Sequence, residues 1–88
     1  MQTVSFDLSK LPDEQAFYQQ FRETFALETF GNNLDALWDV LTGELALPLR
    51  ITLYHVSHSP AEQTWQRIVA VMKEAEQETF GAFSLRIV

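Results

Sequence analysis

Leu49-Arg50-Ile51-Thr52-Leu53-Tyr54-His55-Val56 runs, after Ser57-His58, into Ser59-Pro60-Ala61-Glu62. In the first stretch Leu49, Ile51 and Leu53 fall on one side of an extended chain and Tyr54 and Val56 on the other. That is the pattern of a strand buried on most of both faces. The second stretch is a capping box with proline at the first helical position, which starts a helix. Trp65, Ile68, Val69, Met72 and Ala75 then recur at helical spacing to about Glu78. Beyond Gly81, which ends the connection, Phe83, Leu85 and Ile87 alternate with Ser84 and Arg86, the period of a last strand.

Toward the N-terminus the same alternation returns. Val4, Phe6 and Leu8 alternate with Ser5 and Asp7, giving a first strand. From about Asp13 the period lengthens: Phe17, Phe21 and Phe25 share a helical face while Gln19, Gln20 and Glu23 point away. Ser9 or Asp13 caps this helix, and Pro12 suits either reading. Gly31-Asn32-Asn33 breaks the chain before Leu34-Asp35-Ala36-Leu37-Trp38-Asp39-Val40-Leu41-Thr42-Gly43. At about 100° per residue, Leu34, Leu37, Leu41 and the near edge of Trp38 share one face, with Asn33 as N-cap and Gly43 as the stop. The order is therefore strand, helix, helix, strand, helix, strand. Strands joined by helical crossovers pair in parallel, so the expected fold is α/β, a small three-stranded parallel sheet packed with helices.

Composition limits what such a chain can do. Its 88 residues make one domain, 1–88, and an apolar content of 47% with seven Phe is that of a folding chain. No apolar run is long enough to span a bilayer and no leader pattern opens the sequence, so the cytoplasm is the expected compartment. Cysteine is absent, which excludes disulfides, thiolate metal sites and cysteine nucleophiles. The net charge of -6 is unevenly placed. Asp13, Glu14, Glu23, Glu28, Asp35, Asp39 and Glu44 stand against Arg22 alone, whereas the rest of the chain is neutral. A concentrated negative face repels nucleic acid and attracts a basic partner.

Asp35 and Asp39 lie one turn apart on the second helix, beside Trp38 and away from the apolar stripe. Asp35 sits in the first turn, where the helix dipole alone would favour it. Asp39 has no such explanation: a second acid four residues on costs an isolated helix roughly 0.2–0.5 kcal/mol, and no Lys or Arg occurs between positions 23 and 49. The pair therefore reads as a binding face, with Trp38 divided between that face and ordinary packing. Acid–base catalysis would require a concave pocket with one acid desolvated, so an enzyme is not expected. His55 and His58 straddle a strand end without further ligands, and no metal or other cofactor is expected.

The run Phe30-Gly31-Asn32-Asn33-Leu34-Asp35-Ala36-Leu37-Trp38-Asp39-Val40-Leu41-Thr42-Gly43 closely resembles the signature of the barstar family, in which an aromatic residue, Gly, a polar residue and Asn lead into Leu-Asp-Ala-Leu-Trp-Asp. The likeness extends to Leu47-Pro48-Leu49 and more loosely to Lys73-Glu74-Ala75. The resemblance implies a barstar-like fold and a cofactor-free, one-to-one inhibitor of a microbial guanyl-specific ribonuclease inside the cell. On that footing Asp39 takes the place of the substrate phosphate, Asp35 meets cationic groups beside it, and Glu74 adds a peripheral ion pair. Gly31, Asn33, Trp38, Thr42 and Gly43 line the contact. Two positions depart from the family pattern: Thr29 stands where a tyrosine is usual and Glu44 where a tryptophan is usual. An acidic module binding a non-nuclease basic protein is the competing expectation.

Overall fold

The computed structural model describes residues 1–58 and 62–88. Strand β1 (Gln2–Asp7) leads through a 3-10 turn at Leu8–Lys10 to helix α1 (Glu14–Thr24). Helix α2 (Leu34–Gly43) precedes strand β2 (Leu49–Tyr54), and a second 3-10 turn at Val56–His58 follows. Helix α3 (Glu62–Glu78) and strand β3 (Phe83–Ile87) complete the order. The expected capping box at Ser59–Glu62 falls on residues 59–61, outside the described residues. Of the two candidate caps for α1, Asp13 takes the role: its carboxylate accepts from the Ala16 amide at 2.8 Å, while Ser9 bonds Asp7 instead.

The three strands are parallel in the order β1-β2-β3, with Val4 opposite Ile51 opposite Leu85 and Phe6 opposite Leu53 opposite Ile87. Parallel crossovers are nearly always right-handed, and two crossovers of one hand that step in the same direction put their helices on the same face. That face carries the core. Phe6, Leu49, Ile51, Leu53 and Phe83 are buried beneath Phe17, Tyr18 and Phe21 of α1, Leu37, Val40 and Leu41 of α2, and the α3 stripe from Trp65 to Ala75. Within it Phe6 and Phe17 lie 5.3 Å apart, Phe21 and Phe30 5.3 Å, and Phe17 and Trp65 6.2 Å. Each such pair adds about 0.5–1.5 kcal/mol beyond its burial.

The opposite face corrects the expectation that β2 is buried on both sides. It presents Thr3, Ser5 and Asp7 from β1, Arg50, Thr52 and Tyr54 from β2, and Ser84 and Arg86 from β3. Of these residues Thr52 alone is buried, and Tyr54 is 38% exposed. Val56 is buried as expected, but from the 3-10 turn beyond the strand rather than from the second face. The helices thus leave one wall of the sheet polar.

Candidate functional site

The second helix is held at its start by one side chain. Asn33 adopts extended backbone, and its Oδ1 accepts from the Ala36 amide at 2.7 Å, filling the N-cap. Its Nδ2 donates to the Gly31 carbonyl at 3.1 Å, so the same amide fastens the preceding loop to the helix. Gly31 is constrained sterically: a Cβ there would stand 3.3 Å from Ala36 Cβ and 3.3 Å from Asn33 Nδ2. Asn32 takes a left-handed φ of 52°, and its carbonyl accepts from Gln15 Nε2 at 3.4 Å, tying the loop to the first turn of α1. Phe30, buried against Tyr18 and Phe21, pins the loop to the core.

Arg22 completes the scaffold in a way the sequence did not disclose. Its Nε donates to the Leu27 carbonyl at 3.2 Å and its Nη2 to the Glu28 carbonyl at 3.0 Å. The one cation of the acidic segment is therefore engaged by backbone, where it shapes the loop carrying Thr29 rather than neutralising a carboxylate. Helix α1 ends in a Schellman arrangement just before, with Ala26 left-handed, its amide on the Glu23 carbonyl and the Leu27 amide on the Arg22 carbonyl.

Asp35 and Asp39 are both exposed on α2, as their spacing predicted. The ion pairs found among the described residues are His55 with Asp7 at 2.8 Å and Arg67 with Glu14 at 3.8 Å, and neither involves α2. Trp38, between the two acids, is half-buried and packs against the core, as its packing reading expects. The Thr42 hydroxyl donates back to the Trp38 carbonyl at 2.8 Å. Gly43 is the last helical residue, yet it does not stop the helix by turning left-handed: Glu44 stays right-handed, and the Glu44 and Leu45 amides both bond the Val40 carbonyl. A Cβ on Gly43 would meet nothing within 4 Å, so no internal neighbour requires glycine there. Thr29 and Glu44 are exposed at either end of this surface.

The structure therefore joins Gly31, Asn33, Asp35, Trp38, Asp39, Thr42 and Gly43 into one loop-and-helix unit. Glu74 lies apart, exposed on α3, whose apolar stripe packs beside α2. No group of three potential metal ligands is assembled among the described residues, and no helix there is long and apolar enough to cross a membrane.

A second polar cluster, unforeseen, sits at the far ends of β1 and β2. Asp7 accepts from the Ser9 hydroxyl at 2.6 Å, the Ser9 amide at 3.1 Å and His55 Nδ1 at 2.8 Å. An ionised carboxylate only accepts, so His55 Nδ1 carries the proton in this contact. These bonds, the Ser9 hydroxyl first and His55 second, lower the Asp7 carboxyl to about 2. The partners are 48 residues apart in sequence, and no local pattern announces them.

With this geometry in view, the chain compares directly with known proteins. A family model described as Barstar (barnase inhibitor) matches residues 1–87. The Bacillus subtilis (strain 168) protein "Putative ribonuclease inhibitor YrdF" is 37% identical over 60 residues, which cover 66% of this chain and 66% of that relative. The family match spans nearly the whole length, and the parallel three-stranded sheet, the Asn33-capped acidic helix and the glycine-bearing loop before it fall inside the matched region: the chain belongs to the barstar family.

Proposed function

We propose that this protein is an intracellular inhibitor of a microbial guanyl-specific ribonuclease, binding one to one and closing the enzyme's active site with α2 and the loop before it. The observation that carries the reading is the exposure of Asp39 on a rigid, capped helix, with Asp35 one turn away and no cation among the described residues paired with either. A site that holds phosphate by charge-assisted hydrogen bonds also holds a fixed carboxylate, because both present acceptor oxygens to the same Arg, Lys and His donors. Asp39 takes the phosphate position in this scheme, Asp35 meets neighbouring cations, and Glu74 adds a rim contact. Gly31, Asn33, Thr29, Trp38, Thr42, Gly43 and Glu44 form the remaining contact surface. The net charge of -6 favours rapid encounter with a basic enzyme at low salt. The barnase–barstar pair is itself the reference example of such steering, so that expectation is inherited from the family rather than independent of it.

The exposed, non-aromatic Thr29 and Glu44 support a cognate enzyme with a differently shaped rim from the one met by relatives that carry tyrosine and tryptophan there. The test is a titration of the purified protein into a panel of microbial guanyl-specific ribonucleases, including those of related genomes, following RNA cleavage. Stoichiometric loss of activity in at least one is expected. Uninhibited cleavage across the panel, together with recovery of a non-nuclease basic protein by wild type but not by Asp39→Ala, would instead support an acidic interaction module.

A further inference from the structure

Helix α3 ends in a Schellman motif whose occupant is unusual. The Phe80 amide donates to the Gln77 carbonyl at 3.1 Å and the Gly81 amide to the Glu76 carbonyl at 2.9 Å, which puts Phe80 at the left-handed position after the cap. Its φ is 54°, where glycine is the usual residue and a bulky side chain is strained, and Gly81 follows at 83°. The phenyl ring gains nothing internal for this: Phe80 is 98% exposed, the most exposed of the chain's large apolar residues. The turn around it is nonetheless firmly built. Ala82 N–H bonds the Thr79 carbonyl, Phe83 N–H bonds the Thr79 hydroxyl at 3.0 Å, and that hydroxyl donates to the Ala75 carbonyl. Strain that persists in a turn so fully determined fixes the backbone from which the ring projects, so a partner has only the side-chain rotations to order.

The position matters as much as the exposure. The Leu49 amide bonds the Ala82 carbonyl at 2.9 Å, so Phe80 and the exposed Leu47 each lie two residues from one inter-strand junction, at the end of the sheet where α2 and α3 both finish. Both helices end there without a basic residue in the last turn, and exposed Glu44 and Glu78 add full charges to the two negative helix poles. An apolar anchor inside an acidic rim matches a basic protein that has an apolar hollow beside its cationic site.

Resting on the inhibitor reading above, we infer that Phe80, with Leu47 at the same end of the sheet, is an aromatic anchor that docks on the basic ribonuclease at the α2–α3 end of the interface. It supplies there the contact that Thr29 and Glu44 do not. Phe80→Asn removes the ring while placing at φ 54° a residue that tolerates it. The inhibition constant of Phe80→Asn should rise about thirty-fold against a ribonuclease that wild type inhibits, with a melting temperature equal to or above that of wild type. Tyr54→Asn, on the bare wall of the sheet, should leave inhibition unchanged. Equal inhibition by wild type and Phe80→Asn overturns the anchor alone. A melting temperature lowered by Phe80→Asn, or an equal loss in Tyr54→Asn, assigns the ring a structural role and also overturns it. Failure of wild type to inhibit any ribonuclease removes the inhibitor reading and the anchor together.

Discussion

Replacing Asp39 by Asn should make the free protein slightly more stable. Asp39 is exposed, has no ion-pair partner among the described residues, and stands one turn beyond Asp35. Two like charges about 6 Å apart in water repel by roughly 0.7 kcal/mol, and a Debye length of about 8 Å at physiological salt halves this to about 0.3 kcal/mol. Asn has nearly the size and helix propensity of Asp, so little else changes. For a chain of this size the gain corresponds to about 1–3 °C in melting temperature. Paired thermal and urea melts of wild type and Asp39→Asn measure it, and the difference should nearly vanish in 1 M salt, where the Debye length is about 3 Å. A destabilisation of more than about 0.5 kcal/mol would refute the reasoning, because it would mean that the carboxylate is bonded within its own molecule.

Asn33→Ala should destabilise the protein by about 1–2 kcal/mol in urea unfolding, since it removes both the cap on Ala36 and the tie to Gly31; a change below about 0.3 kcal/mol would contradict this. Asp7 has a folded-state pKa of about 2 against 3.8 for the free group, so its contribution to stability is complete above about pH 4 and is lost as pH falls through 2. Unfolding free energies measured from pH 5 to pH 1.5 should therefore show wild type losing its advantage over Asp7→Asn across that window; a gap that stays constant would contradict the assignment. Trp65→Ala, at a fully buried residue that meets Phe17, should cost about 3–5 kcal/mol in the same assay; a loss under about 1 kcal/mol would place Trp65 outside the core.

Much of this was legible because the signals are local. The alternation in β1 and β3, the Phe17 and Phe21 spacing, the Asn33 cap and the outward pair Asp35 and Asp39 each follow from residues within a turn or two of one another. What escaped depends on distance or on competition. Arg22 reads as a stray cation until the returning loop brings the Leu27 and Glu28 carbonyls to it, and Asp7 meets His55 only after β1 and β2 pair. The bare wall of the sheet follows from strand order, which no single segment encodes; Tyr54 and Val56 suggested a second buried face because the strand ends between them. Glycine marked where chain segments end but not how: α2 stops at Gly43 as expected, yet through bonds to the Val40 carbonyl, and the left-handed step after α3 begins at Phe80, one residue before Gly81.

The barstar-family scaffold explains why the acidic helix can be both exposed and rigid. Phe30 and the half-buried Trp38 anchor the loop and the helix to an aromatic core, Arg22 and Asn33 fix the loop backbone, and the carboxylates are left facing outward. Rigidity matters here because a carboxylate that must first be ordered loses part of its binding energy to that ordering.

The most direct test is the ratio of inhibition constants for Asp39→Asn and wild type, measured at constant ionic strength against the ribonuclease that wild type inhibits most strongly. A carboxylate seated among phosphate-binding cations predicts a ratio of at least about thirty, from the 2 kcal/mol or more that follows removal of one member of a desolvated charge pair, a range drawn in part from the barnase–barstar complex itself. A ratio near one would show that Asp39 does not enter the enzyme's site.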